Sequence, residues 1–235
     1  MNLFRRVLPV TIVAAVVCGT AVSQAPSNPS GLEPVLKKMD AAAATFRTTQ
    51  ADFEWDRYEK VIDEIDDIQS GTVYYRRVGK EVEMKADIKK PEAKHVLFSN
   101  GKIQVYQPKP DQVTTYGADK NRADIETYLV LGFGGSGQDL MKAFDVSYQG
   151  AETINSVATA KLQLIPKSQS VRNNIARILL WIDLDRGISL QQQLFEPQGD
   201  YRLAKYSNIR VNEKINSDVF QLKTTGKTQF ISPKG

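Results

Sequence analysis

The sequence predicts a mainly β fold of the α+β class: one strongly curved antiparallel sheet of about eleven strands with a few helices laid over it. Three observations lead there. The apolar period is three to four residues near the start and two almost everywhere afterwards. Turn signals recur at hairpin spacing, the clearest being Asn100-Gly101. The helical stretches are too few to cover so many strands flat, so the sheet must curve around them and leave a concave apolar space, a binding site for something greasy.

Residues 1–23 read as a secretory signal peptide. Arg5 and Arg6 precede the apolar run Val7 to Val17, which is roughly half the ~20 residues that a membrane-spanning helix needs. Small residues at Ala21 and Ser23 place cleavage after Ser23, so a single exported domain over 24–235 is expected. Cys18 follows Val17 rather than a small residue, which argues against a lipid anchor. Without Cys18 the mature chain has no cysteine and must hold together by its core. Removing Arg5 and Arg6 takes two units from a formal charge of +4, leaving nothing that calls for a nucleic-acid partner.

Leu32, Val35, Leu36, Met39, Ala42, Ala43 and Phe46 repeat at helical spacing, so residues 30–47 form an amphipathic helix. Ser30 and Glu33 resemble a capping box, and Pro34 is early enough to be tolerated. From Thr49 the period is two: Phe53 and Trp55 alternate with acids, and Val82, Met84, Ala86 and Ile88 alternate with Glu81, Glu83, Lys85 and Asp87. Further strands are expected at Thr72–Arg77, His95–Ser99, Lys102–Gln107 and Gln112–Tyr116. After residue 145 they follow at Val146–Gln149, Ala158–Pro166, Ile175–Asp185, Ile188–Glu196, Tyr201–Val211 and Val219–Lys223. Short helices are expected at Asn121–Leu131 and Gly137–Phe144.

Few residues here carry catalytic chemistry. One cysteine and one histidine are too few for a zinc finger or a His-rich metal site, which leaves only carboxylate-bound ions open. Gly132 to Gly137 fits the spacing of a dinucleotide loop, but too few residues follow for a crossover helix, so it reads as a hinge beside a lid. Asp183 and Asp185 share a strand face and suit either a divalent ion or a solvated strand end; the strand end is the simpler account. Asp63, Glu64, Asp66 and Asp67 lack the glycine of a calcium loop and read as a solvated acidic face. His95 has no second histidine and no nucleophile arranged with it in sequence. The lysines between positions 80 and 110 read as a solvated sheet face, with anionic headgroups or an acidic partner as the functional alternative. Phe53, Trp55, Val82, Met84 and Ile88 face inward, to line a cavity or to fill a core. Trp181 and Phe195 sit on strands that are apolar on both faces and belong to the wall or to the outer rim.

The order of elements and several phrases resemble the LolA-like family of periplasmic outer-membrane lipoprotein carriers over residues 31–230. The phrases are Ala51-Asp52-Phe53-Glu54-Trp55, Ser70-Gly71-Thr72-Val73-Tyr74-Tyr75, and the run from Phe98 through Asn100-Gly101 to Pro108 with Gln112-Val113 beyond it. Gly134-Gly135 through Phe144-Asp145-Val146, and Tyr206-Ser207-Asn208-Ile209 to Val219-Phe220, complete the set. The resemblance implies an unclosed β-barrel with an α-helical lid and a non-enzymatic, monomeric carrier without a cofactor. Its partners would be acylated lipoproteins or lipids and membrane-bound donor and acceptor proteins. The ligand-binding wall is then expected at Phe53, Trp55, Val82, Met84, Ile88, Phe98, Val105, Trp181 and Phe195. The lid is expected at Leu129, Leu131, Phe133, Leu140 and Phe144. One departure stands out: the family's aromatic-Arg-Trp phrase is replaced by Val82-Glu83-Met84-Lys85. The arginine linked to lid closure and transfer is absent and Glu83 takes its place. A lipoprotein- or lipid-sensing regulatory module is therefore the alternative to a carrier, and a small-molecule enzyme using Asp183 and Asp185 is a third reading.

Overall fold

Helix α1 (Leu32–Thr45) leads into a six-strand meander: β1 (Thr48–Glu59), β2 (Glu64–Val78), β3 (Glu81–Lys90), β4 (Lys94–Ser99), β5 (Lys102–Gln107) and β6 (Gln112–Gly117). Helix α2 (Gly137–Ala143) opens a second meander of β7 (Phe144–Ile154), β8 (Val157–Pro166), β9 (Arg177–Asp183), β10 (Ser189–Phe195) and β11 (Tyr201–Val211), with the single turn α3 (Gln169–Arg172) between β8 and β9. A 3-10 turn at Ser217–Phe220 and the short β12 (Gln229–Ile231) follow. The structure is a computed structural model and describes residues 31–79, 81–117 and 131–233. None of the described helices is long and apolar enough to cross a membrane.

The twelve strands among the described residues form one unclosed, curved sheet in the order β12-β6-β5-β4-β3-β2-β1-β11-β10-β9-β8-β7. The two meanders meet where β1 pairs with β11, and every pairing is antiparallel except β12 with β6. Bulges mark the pairings of β1 with β2 and of β2 with β3, and such bulges bend a sheet. At the second bulge a Cβ on Gly71 would lie 2.0 Å from the Asp87 carbonyl oxygen, so only glycine permits this approach.

Alternation decides the strands as expected, with differences at the ends. Helix α1 starts behind Gly31 with no side-chain cap; Ser30 of the expected capping box lies outside the described residues, and Glu33 instead pairs with Lys37 at 2.7 Å. The Asn100-Gly101 turn has positive φ at both residues, 51° and 67°, as a tight hairpin of that type requires. The strand expected at Val219–Lys223 is not formed. The Asn216 side chain accepts the Asp218 N–H at 3.0 Å and winds the chain into the 3-10 turn, while the unforeseen β12 completes the twelve strands. The helix expected at Asn121–Leu131 lies, apart from Leu131, outside the described residues.

The concave face holds two packed clusters. Val35 and Met39 of α1, with Leu140 and Phe144, cover Leu162, Leu180 and Ile182 of β8 and β9. Phe46, Phe53, Tyr75, Met84, Phe98 and Phe133 fill the space above β1 to β4. The loop expected as a hinge is a packing device. Gly132 has φ +84°, and a Cβ there would fall 2.1 Å from that of Ser189; one on Gly134 would meet the Phe46 ring at 2.5 Å. The loop therefore lies flat on its neighbours and drives Phe133, fully buried, into the hollow.

The convex face of the first meander is covered by the C-terminal strap. Both oxygens of Asp111 accept hydroxyls from it, Thr225 Oγ1 and Thr228 Oγ1 at 2.6 Å each, while Tyr106 Oη donates at 3.1 Å. Arg76 lies 4.2 Å over the Phe220 ring.

Candidate functional site

The filled clusters leave one end of the concave face open. There β1 to β5, β10 and β11 enclose an apolar cavity of about 520 Å³. Register explains its walls: Trp55 stands opposite Ala204, Phe53 opposite Tyr206 and Arg57 opposite Arg202. On the next strand Gln192 and Leu194 face Ala204 and Arg202. Trp55, Ile88, Val96, Val105, Leu194 and Ala204 form the apolar wall, with Tyr206 at the inner end.

That inner end is floored by aromatic rings. Phe53 stacks on Trp55 at 4.0 Å, Tyr75 on Phe133 at 5.4 Å, and Tyr206 meets Phe133 edge-on at 4.9 Å. Burial pushes the Tyr206 phenol up to about 12 and the Tyr75 phenol well above its ordinary value. Both stay neutral, so the deep part of the cavity presents no charge. Charge gathers at the rim, where Arg57, Asp67, Gln69, Lys94 and Arg202 line the opening. Arg57 pairs with Glu59 at 2.6 Å and Arg202 approaches Glu196 at 3.6 Å. The Gln192 amide donates to the Leu131 carbonyl and ties the glycine loop to the cavity wall. An apolar depth with a polar mouth suits one kind of molecule, an amphiphile whose hydrocarbon goes in first.

Of the residues expected in the wall, Trp55, Ile88 and Val105 line this cavity. Phe53, Met84 and Phe98 are instead packed under Phe46 and Phe133, with Val82 against the same cluster, because the loop glycines let an aromatic plug occupy that half of the hollow. Two assignments are corrected. Trp181 faces outward: it sits between Leu180 and Ile182, which point inward, and its Nε1 donates to Glu152 Oε2 at 2.5 Å with Lys161 4.9 Å over the ring. Phe195 also faces outward, with Arg177 4.1 Å over its ring and Tyr201 5.7 Å away, because its neighbour Leu194 takes the inner face. Val96, Leu194, Ala204 and Tyr206 were missed, although each is an alternate residue of a correctly read strand. In the lid set, Leu131, Leu140 and Phe144 pack over β8 and β9, Phe133 is the plug, and Leu129 lies outside the described residues.

Other candidate residues serve local structure. The Asp183 carboxylate, 3% exposed, accepts the N–H groups of Asp185 and Arg186 at 2.8 and 3.0 Å and the Arg186 Nε at 2.7 Å, closing the turn after β9. Asp87 binds His95 Nδ1 at 2.6 Å and Lys85 at 3.1 Å. Lys85, expected in solvent, is buried. Glu83 takes the guanidinium of Arg76 and the hydroxyl of Ser99 at 2.5 Å each, on the face opposite Met84.

In comparison with known proteins, the family described as outer membrane lipoprotein carrier protein LolA matches residues 44–223. Among solved structures, an uncharacterized conserved protein from Thermus thermophilus superposes with a TM-score of 0.54 at 11% identity, covering 86% of this chain and 98% of that one. MucB, also solved with MucA from Pseudomonas aeruginosa, superposes with a TM-score of 0.51 at 14% identity, covering 81% of this chain and 62% of the MucB chain. The Mycobacterium tuberculosis lipoprotein LppX gives 0.49 at 13% identity, covering 79% of this chain and 99% of that one. These likenesses are of fold. No curated protein matches.

Proposed function

This chain belongs to the LolA family of outer membrane lipoprotein carrier proteins, and from that premise we propose that it holds the acyl chains of lipoproteins, or of another lipid, in its apolar cavity and shuttles them across the periplasm towards the outer membrane. The observation that carries the reading is the open cavity of about 520 Å³ walled by Trp55, Ile88, Val105 and Leu194. Its size falls in the ~300–1,000 Å³ range of sites for small molecules. Each methylene moved from water into such a wall gains about 0.8 kcal/mol, so one acyl chain supplies ample gross driving force without a covalent step. The protein acts without catalysis or a cofactor, as a monomeric single domain over 24–235 delivered by its 1–23 signal peptide. Membrane-bound proteins load and unload it.

The sensing alternative shares the cavity and differs in release. Glu83 favours it: the residue at the family's arginine position is a carboxylate locked to Arg76 and Ser99 on the outer face, so the lid-closing arginine of the resemblance has no counterpart at that position. One experiment addresses the shared step. Protein purified from a periplasmic preparation is examined by native and denaturing mass spectrometry for co-purified acyl ligand. A stoichiometric acyl species, lost in Trp55→Asp protein that remains folded, is the expected result. Failure of added acyl probes to bind would refute the cavity assignment.

A further inference from the structure

The outer end of the β1–β2 hairpin is unlike the rest of the sheet. Strand β2 pairs with β1 from Arg76 to Glu64. Its pairing with β3 on the other side begins only at Ser70. Among the described residues, Glu64–Gln69 therefore have a strand on one side alone, and alternate N–H and C=O groups of this segment point outward with no strand to receive them. Natural edges of this kind are usually blunted by charged side chains, lysine above all, by proline or by a bulge; here carboxylates and a bulge at Asp66 disfavour an acidic strand and leave the edge open to a cationic one. This one carries Ile65 and Ile68, 47% and 53% exposed, and follows Val61 and Ile62, 94% and 52% exposed. Scattered exposed aliphatics are ordinary, but four within one hairpin form a patch.

Charge narrows the partner. Between Glu59 and Ile68 stand five carboxylates, Glu59, Asp63, Glu64, Asp66 and Asp67, against Lys60 within the run and Arg57 beside it, which pairs with Glu59 at 2.6 Å and approaches Asp66 at 3.8 Å, so the hairpin end keeps an excess of negative charge. Such a patch repels an anionic lipid surface and attracts a cationic peptide. Position narrows it again. Asp67 and Gln69 belong both to this edge and to the rim of the cavity. The register sorts the two faces: Gln69 stands opposite Trp55 and turns towards the cavity, whereas Ile68 stands opposite Asp56 and turns outward. Asp66 is skipped in the pairing, a bulge that flares the edge.

We propose that Glu64–Gln69 is a docking edge for one extended, cationic peptide strand, the segment of a cargo protein adjoining its acyl group. The added strand bonds to the β2 backbone, sets apolar side chains beside Ile65 and Ile68 and cationic ones towards Asp67, and ends at the cavity mouth where the acyl chain enters. This rests on the carrier reading and deepens it: backbone pairing and acyl burial are linked contributions from one ligand.

The test titrates the mature protein with palmitate, with a palmitoylated peptide of alternating lysine and valine, and with the same lipopeptide N-methylated at alternate amides. Binding is read by tryptophan fluorescence and by amide NMR shifts. The lipopeptide is expected to bind at least tenfold tighter than palmitate, with shifts concentrated in Glu64–Gln69, and the N-methylated form is expected to fall back to the palmitate level. Equal affinity of the two lipopeptides, or shifts centred elsewhere, would overturn the proposal. Palmitate binding with no gain from the peptide removes the docking edge and leaves the carrier reading. Shifts in Glu64–Gln69 without palmitate binding do the reverse, and binding of no ligand removes both. Protection of the same amides that rises with protein concentration alone assigns the edge to a second copy of this chain and overturns the proposal.

Discussion

Replacing Phe133 with alanine separates a plug from a lid. The side chain is fully buried, 5.4 Å from the Tyr75 ring and 4.9 Å from that of Tyr206. Truncating a buried phenylalanine costs about 3–5 kcal/mol. The two ring contacts, about 0.5–1.5 kcal/mol each within that total, place Phe133→Ala in the upper half of the range. The loop cannot collapse into the space, because Gly132 and Gly134 already hold it against Ser189 and Phe46. Urea unfolding followed by far-UV circular dichroism measures the loss, with Phe133→Leu as a milder control. The vacated space adjoins the Tyr206 end of the cavity, so acyl-probe affinity is expected to hold or rise. A destabilisation below about 1 kcal/mol would refute the packed-core assignment. Normal stability with lost probe binding would show that Phe133 touches ligand as a lid residue.

Leu194→Asp places a charge in the cavity wall and is expected to abolish displacement of a fluorescent fatty acid, whereas Trp181→Ala, on the outer face, is expected to lower stability yet leave that affinity within about twofold. Gly132→Ala must hold alanine at φ +84° with its Cβ against Ser189. The backbone term alone is about 1–2 kcal/mol, so a Tm several degrees lower is expected in a thermal melt. Asp111 is held below its ordinary 3.8 by the Thr225 and Thr228 hydroxyls first and by Tyr106. A carboxylate depressed in the folded state stabilises above its unfolded pKa and loses that effect as pH falls through the folded one. Protection of the Gln229–Ile231 amides against hydrogen exchange, taken relative to their intrinsic rates, is thus expected to be high at neutral pH and to fall below pH 3.8, and Asp111→Ala protein should show low protection there at every pH.

Where one face of a strand is apolar, the sequence can be read directly. Tyr201–Val211 has the boundaries of β11, and the Asn100-Gly101 turn sets the register of β4 against β5. Trp181 and Phe195 were ambiguous for a physical reason: β9 and β10 carry apolar residues on both faces, and only pairing with β8 and β11 decides which set points inward. Asp63, Glu64, Asp66 and Asp67 read as a solvated acidic face rather than a strand because aspartate and glutamate disfavour strands; pairing with β1 overrides that propensity and takes Glu64, Asp66 and Asp67 into β2. The division of the hollow into a filled and an open half depends on where Gly132 and Gly134 place Phe133, a packing outcome across distant chain segments.

The junction of the two meanders has a consequence for how the molecule is made. Arg47 N–H reaches the Asn212 side chain across 165 residues of sequence, and β1 finds its second neighbour only in β11. Synthesis runs from the N-terminus, so one flank of β1 stays bare until nearly all of the chain has emerged. Pairings this remote in sequence form slowly. The flank of β1 is exposed for that whole interval, and a chain cut short before Tyr201 would leave it bare for good, a template for aggregation.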